Sequence, residues 1–181
     1  MIVVADTTPL ISLLKIEKLD LLEKLFGKVY IPTGVYQELT ANPSFKSEAG
    51  SIEQCKYIQV ENISDQRAVE LLRRATGLDR GESEAIVLTD EQQGNLLLMD
   101  EAKGRSVAKK MGIRIMGTIG ILMIALEKQK ITYTEIVQSI EILRNSGRHI
   151  KNELYEELLR AAEKFRSTEP GGKNKNGNDN S

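Results

Sequence analysis

Met1-Ile-Val-Val-Ala-Asp6-Thr-Thr-Pro-Leu-Ile-Ser-Leu-Leu14 opens the chain and decides how the rest is read. Residues 2–5 are apolar and rich in β-branched side chains, too short a run for a helix, and read as a buried strand. Asp6 closes the run, and Thr7, Thr8 and Pro9 precede a helical pattern of Leu10, Ile11, Leu13 and Leu14. Thr8 is the expected cap of that helix, and Pro9 suits its first turn. A strand that passes straight into a helix through a carboxylate puts the charge at the strand's carboxyl end, where open α/β sheets hold their ligands. Burying a lone carboxylate is costly unless it is partnered or shifts its pKa. The plain alternative is a turn Asp that caps the next helix.

Beyond this stretch, short strands and helices alternate. Helices are expected over 19–26, from 33 until Asn42-Pro43 breaks the pattern, and over 46–54. Further helices are expected from Ser64 or Asp65 to Gly77, from Asp79 with Ala85, Ile86 and Leu88 inward, and over 102–111. Strands are expected over 29–31, stopped by Pro32, and over 57–60, 96–99 and 113–116. The run 96–99 is apolar throughout, as strands covered on both faces are. An apolar helix follows Gly117-Thr118 through Leu126. Two amphipathic helices, over 132–143 and 151–165, come next, and the polar, aperiodic residues 167–181 are expected to be disordered. The fold class is therefore α/β: three layers, α/β/α, around a central parallel sheet, plus C-terminal helices. Right-handed crossovers bring the carboxyl ends of all strands to one edge.

The totals narrow the chemistry. At 181 residues one full core is expected, with 1–130 as the main domain. The helices of 131–166 then pack on that domain or form a dimer interface. Cys55 and His149 are the only residues of their kinds, so intrachain disulfides, thiolate zinc sites and paired-histidine sites are out of reach. His149 lies in a polar stretch and is expected at the surface. Any metal must be held by oxygen, which means a hard cation. The formal net charge of −1 advertises no general affinity for nucleic acid, so phosphate contacts must come from a local cluster. No apolar stretch approaches membrane-spanning length. Residues 1–14 lack the marks of a secretory signal, so a cytoplasmic protein without membrane contact is expected.

Four acids fall where such a sheet gathers side chains. Asp6 and Asp100 each close an apolar strand, Glu38 lies in a helix beside Val35 and Leu39, away from the obvious solvent face, and Glu82 sits in the first turn of the helix from Asp79. Carboxylates converging on one point repel unless a divalent cation neutralises them, and Mg²⁺ or Mn²⁺ suits a site without His or Cys. Such a site does phosphoryl chemistry. Each acid also has a structural reading. Glu82 follows Asp79 at capping-box spacing, Glu38 can be a solvated helix residue, and Asp100 can cap the next helix. Glu84 and Glu101 are auxiliary candidates or surface charge. Thr118 can cap its helix or bind a water beside an ion. Gly117-Thr-Ile-Gly120 lacks the rest of a dinucleotide fingerprint, and no Walker sequence is present.

The stretches Ile2-Val-Val-Ala-Asp6-Thr-Thr-Pro-Leu-Ile-Ser12, Val35-Tyr-Gln-Glu38-Leu39, Asp79-Arg-Gly-Glu82-Ser-Glu84-Ala-Ile86, Leu96-Leu-Leu-Met-Asp100-Glu101 and Gly117-Thr-Ile-Gly-Ile-Leu122 together resemble PIN-domain proteins of the VapC-like toxin subgroup. The likeness covers roughly residues 1–130. It implies a compact α/β/α nuclease domain and an Mg²⁺- or Mn²⁺-dependent ribonuclease site carried by Asp6, Glu38, Glu82 and Asp100, with Thr7 beside the first acid. The third acid is Glu where Asp is more usual, and Glu84 competes with Glu82 for that place. The likeness further implies a toxin of a type II toxin–antitoxin pair, a homodimer, and an antitoxin that lays a segment over the acidic groove. Lys103 and Arg105, with Lys109, Lys110 and Arg114 near them, are the candidates for gripping RNA phosphates. The competing reading is a non-catalytic PIN-like module that binds nucleic acid or protein.

Overall fold

The computed structural model describes residues 1–41, 46–146 and 152–166. Asn42-Pro43, His149 and residues 167–181 lie outside them, and so do the expectations that fall there. The chain divides into two compact units, Met1–Ile121 and Leu122–Ser181.

Among its described residues the first unit holds five strands, β1 (Val3–Ala5), β2 (Val29–Pro32), β3 (Ile58–Glu61), β4 (Leu96–Leu98) and β5 (Ile115–Met116). They form one parallel sheet in the order β3-β2-β1-β4-β5. Between them run α1 (Thr7–Lys15), α2 (Leu21–Phe26), α3 (Thr33–Ala41), α4 (Lys46–Gln54), α5 (Gln66–Thr76), α6 (Arg80–Glu91) and α7 (Ala102–Lys110), and α8 (Thr118–Glu127) crosses the boundary between the units. This is the expected three-layer α/β/α arrangement.

The chain leaves β1 for β2 and β3, then returns to the other side of β1 as β4. That reversal makes the crevice outside the carboxyl ends of β1 and β4 the place where this architecture binds ligands. Register fixes the pair, with Val3 opposite Leu96, Val4 opposite Leu97 and Ala5 opposite Leu98. All of Val3, Val4, Ala5, Leu97 and Leu98 are fully buried, which is why both strands are apolar without alternation. Val4, Leu97 and Met99 pack with Val69 of α5, Ala85, Ile86, Val87 and Leu88 of α6, and Ala108 of α7.

Three local expectations are corrected. The first helix begins at Thr7, so Asp6 and not Thr8 occupies the N-cap position. Pro32 belongs to β2 as its last residue, opposite Glu61, where no further ladder bond is asked of it. Finally, α6 is not a one-sided amphipathic helix: every residue from Gly81 to Thr89 is buried. Glu82 and Glu84 are therefore both carried into the interior.

In the second unit α9 (Tyr133–Asn145) opens on a capping box. Thr132 Oγ1 accepts from the Glu135 N–H at 3.2 Å, and Glu135 Oε2 accepts from the Thr132 N–H at 2.8 Å. Its buried residues Ile136, Ser139, Ile140 and Leu143 share one face. That helix packs on α10 (Asn152–Arg166), where Leu158 and Ala162 are buried.

Candidate acidic active site

Asp6 is 3% exposed at the carboxyl end of β1, and its backbone N–H donates to Leu98 O of β4 at 3.0 Å. An N-cap Asp ordinarily accepts from the N–H of the second or third helical residue. The third residue here is Pro9, which has none, and the Asp6 side chain makes no capping bond. The carboxylate is thus not committed to closing the helix. Burial pushes the carboxyl up to about 7, with Asp79, Glu82 and Glu38 adding repulsion and a hydrogen bond from the Thr7 backbone offsetting part of it.

Asp6 floors a cleft of about 380 Å³. Thr7 and Thr8 line it from the start of α1, and Glu38 from α3. Asp79 and Glu82 enter from the start of α6, Gly77 from the end of α5, and Glu101 and Lys103 from the start of α7. Two hydrogen-bonded ties hold these groups together. Thr7 Oγ1 donates to Glu38 Oε2 at 2.7 Å, joining α1 to α3. Across the end of α6, the Glu82 N–H donates to Asp79 Oδ1 at 2.8 Å while Glu82 Oε2 accepts from the Asp79 N–H at 2.9 Å. Glu82 is therefore a capping residue and a cleft acid at once. Burial raises its pKa, Asp79 and Glu101 raise it further, and both the Asp79 backbone bond and the Lys103 charge lower it. Lys103 Nζ donates to Gly77 O at 2.9 Å, which keeps a cation at the rim of the acidic cleft.

The other candidates stand elsewhere. Glu38 is exposed, so its place is a solvated wall of the cleft and not an interior position. Glu84 turns away from the cleft, accepting from the Gly34 N–H at 2.8 Å and from Arg80 Nε at 2.6 Å. Asp100 follows β4 but spends its carboxylate on Thr118: Oδ1 accepts from the Thr118 N–H at 2.8 Å and Oδ2 from Thr118 Oγ1 at 2.6 Å. A Cβ on Gly117 would come within 2.7 Å of Asp100 Oδ1 and 2.9 Å of Arg105 Nη1, so only glycine lets both groups approach the backbone there. Arg105 also donates to Met99 O at 2.9 Å, beside Asp100 and away from the cleft lining. Glu101, an auxiliary candidate, does line the cleft. Asp79 was not among the candidates at all. Its signal was the capping box, because two side chains tied across one helix end must face the same space.

The donors facing the cleft are carboxylate and hydroxyl oxygens, the chemistry of an Mg²⁺ or Mn²⁺ site. Among the described residues no three acids stand gathered as ligands of one ion. Mg²⁺ commonly takes only one or two carboxylates and keeps several waters, which suits a cleft of this size. The acids lining the cleft, Asp6, Glu38, Asp79, Glu82 and Glu101, outnumber its lining cation, Lys103, so the residues fit a dication.

A PIN-domain family model matches residues 2–164. No curated protein and no solved structure matches the chain significantly. Among the described residues no helix is long and apolar enough to cross a membrane.

Proposed function

Since the chain belongs to the PIN-domain family, whose members are usually nucleases, we propose that it is an Mg²⁺- or Mn²⁺-dependent endoribonuclease that hydrolyses RNA phosphodiester bonds. One observation carries the reading: a buried carboxylate at the sheet's reversal point shares one cleft with Glu38, Asp79, Glu82 and Glu101. Asp6 would hold the ion, with Glu38 and Glu82, which line the same cleft, accepting from its waters. Asp100, whose oxygens accept from Thr118, stands outside the cleft lining, whereas Asp79 and Glu101 line the cleft and can accept from waters in it. Bound there, the ion supplies Lewis acidity toward a phosphodiester and a more acidic water. Lys103 offers its ammonium to a phosphate flanking the scissile one, while the hydroxyl of Thr7 orients Glu38. Arg105 stands farther back and contributes positive charge behind the cleft.

The resemblance to VapC-like toxins extends the proposal to a cytoplasmic, homodimeric toxin whose antitoxin covers the groove, with residues 1–130 as the nuclease part. One observation favours the other reading, a non-catalytic binding module: no three acids are gathered to ligate one ion among the described residues. RNA cleavage with Mn²⁺, compared between wild type and Asp6→Asn, separates the two. Cleavage by wild type alone supports the nuclease. Absence of cleavage by wild type, with RNA or a protein partner still bound, leaves the module.

A further inference from the structure

We infer that Glu84 is a positioning residue for the cleft: it clamps the amino end of α3 and thereby sets where Glu38 stands. The inference rests on the nuclease reading for its activity readout alone. Glu84 is 2% exposed, and a carboxylate that deep needs both oxygens bonded and its charge matched. Oε2 accepts from the Gly34 N–H at 2.8 Å, and Oε1 accepts from Arg80 Nε at 2.6 Å, the arginine reaching in from solvent. Gly34 lies in the first turn of α3, where a backbone N–H has no partner within its own helix. A Cβ at position 34 would sit 2.3 Å from Glu84 Oε2, so the acid comes this close only because the residue is glycine.

Gly34 and Glu38 are four residues apart on one helix and share a face, so displacement of the first turn carries to the acid. The far end of that lever is the 2.7 Å bond from Thr7 Oγ1 to Glu38 Oε2. The near end is anchored on α6, buried from Gly81 to Thr89 and unable to shift without opening the core. A single rigid helix thus presents Glu82 to the cleft directly and holds Glu38 there at second hand.

The test uses Glu84→Ala, Glu84→Gln and Gly34→Ala, each alone and combined with Glu38→Ala. Amide exchange across α3 and α6 is measured together with Mn²⁺-dependent RNA cleavage. Gly34→Ala opens the clamp by pushing its added methyl against the Glu84 carboxylate while keeping both the Glu84 and Arg80 charges in the chain, so it serves if Glu84→Ala folds poorly. We expect Glu84→Ala and Gly34→Ala to slow cleavage about ten- to a hundredfold, the effect of a misplaced group. Glu84→Gln, which keeps an acceptor for Gly34, recovers most of that loss. Neither loss persists when Glu38 is already alanine, because residues acting through one group are not additive. Exchange quickens in α3 and stays slow in α6. Equal losses with and without Glu38, unchanged exchange in α3, or faster exchange throughout the unit would each overturn the proposal. If wild type itself cleaves no RNA, the nuclease reading fails, and the exchange pattern still decides the clamp.

Discussion

Replacing Asp6 by asparagine should stabilise the folded chain above neutral pH. Folding raises the Asp6 carboxyl from 3.8 to about 7, chiefly by burial. Below pH 3.8 both folded and unfolded chains hold the proton, and the residue is neutral in either. Between that value and about 7 the folded chain keeps a proton that the unfolded chain has released, so stability falls as pH rises. Above about 7 the penalty is complete. At 1.36 kcal/mol per pKa unit its ceiling is about 4 kcal/mol. Relaxation around an asparagine that still needs hydrogen bonds takes part of this back, leaving about 2 kcal/mol of net gain. The melting midpoint at pH 8 should then rise by about 4–8 °C, at 2–4 °C per kcal/mol for a chain of this size. Urea and thermal unfolding followed by far-UV circular dichroism, in chelator, at pH 4 and pH 8, reads the effect directly. Added Mn²⁺ should reverse the order, because an ion held by Asp6 stabilises wild type by about 2.7 kcal/mol at a hundred times its Kd and leaves the asparagine variant unmoved. A variant less stable than wild type at pH 8, or equally stabilised at pH 4, would refute the argument and make Asp6 a structural group.

Thr118→Val removes the 2.6 Å hydroxyl bond to Asp100 and should cost about 1–2 kcal/mol in urea unfolding, read at the transition midpoint. Asp79→Ala breaks the capping box of α6 and should cost about 1 kcal/mol, while calorimetry should show weaker Mn²⁺ binding because a cleft oxygen is gone. Lys103→Gln should weaken RNA binding in filter assays and reduce the salt slope by about one; an unchanged slope would remove Lys103 from the phosphate contacts. Glu101→Gln should lower Mn²⁺ affinity more than Asp100→Asn does, since Glu101 faces the cleft and Asp100 faces Thr118.

How far the candidate site could be read in advance follows from the range of the interactions involved. Strand 3–5, its acid and the helix after it depend on neighbours a few positions away, and the spacing of Asp79 and Glu82 already specifies a helix start. Those features were legible. The choice between Glu82 and Glu84 was not, because a helix buried all round offers no polar face to mark which carboxylate looks outward.

The order of residues alone therefore determined the layered α/β class, the capped helix start at Asp79, and the presence of acids at strand and helix ends. Each of these arises from propensity and periodicity within about one turn of helix or one strand. Tertiary structure alone decided which acids meet. Asp100 turns to Thr118, eighteen residues ahead, and Glu84 turns to Gly34, fifty residues back. Asp79, by contrast, reaches the cleft together with its capping partner. Side-chain direction at an element's end is settled by whichever donor the packing brings within hydrogen-bond reach, and those donors belong to distant parts of the chain.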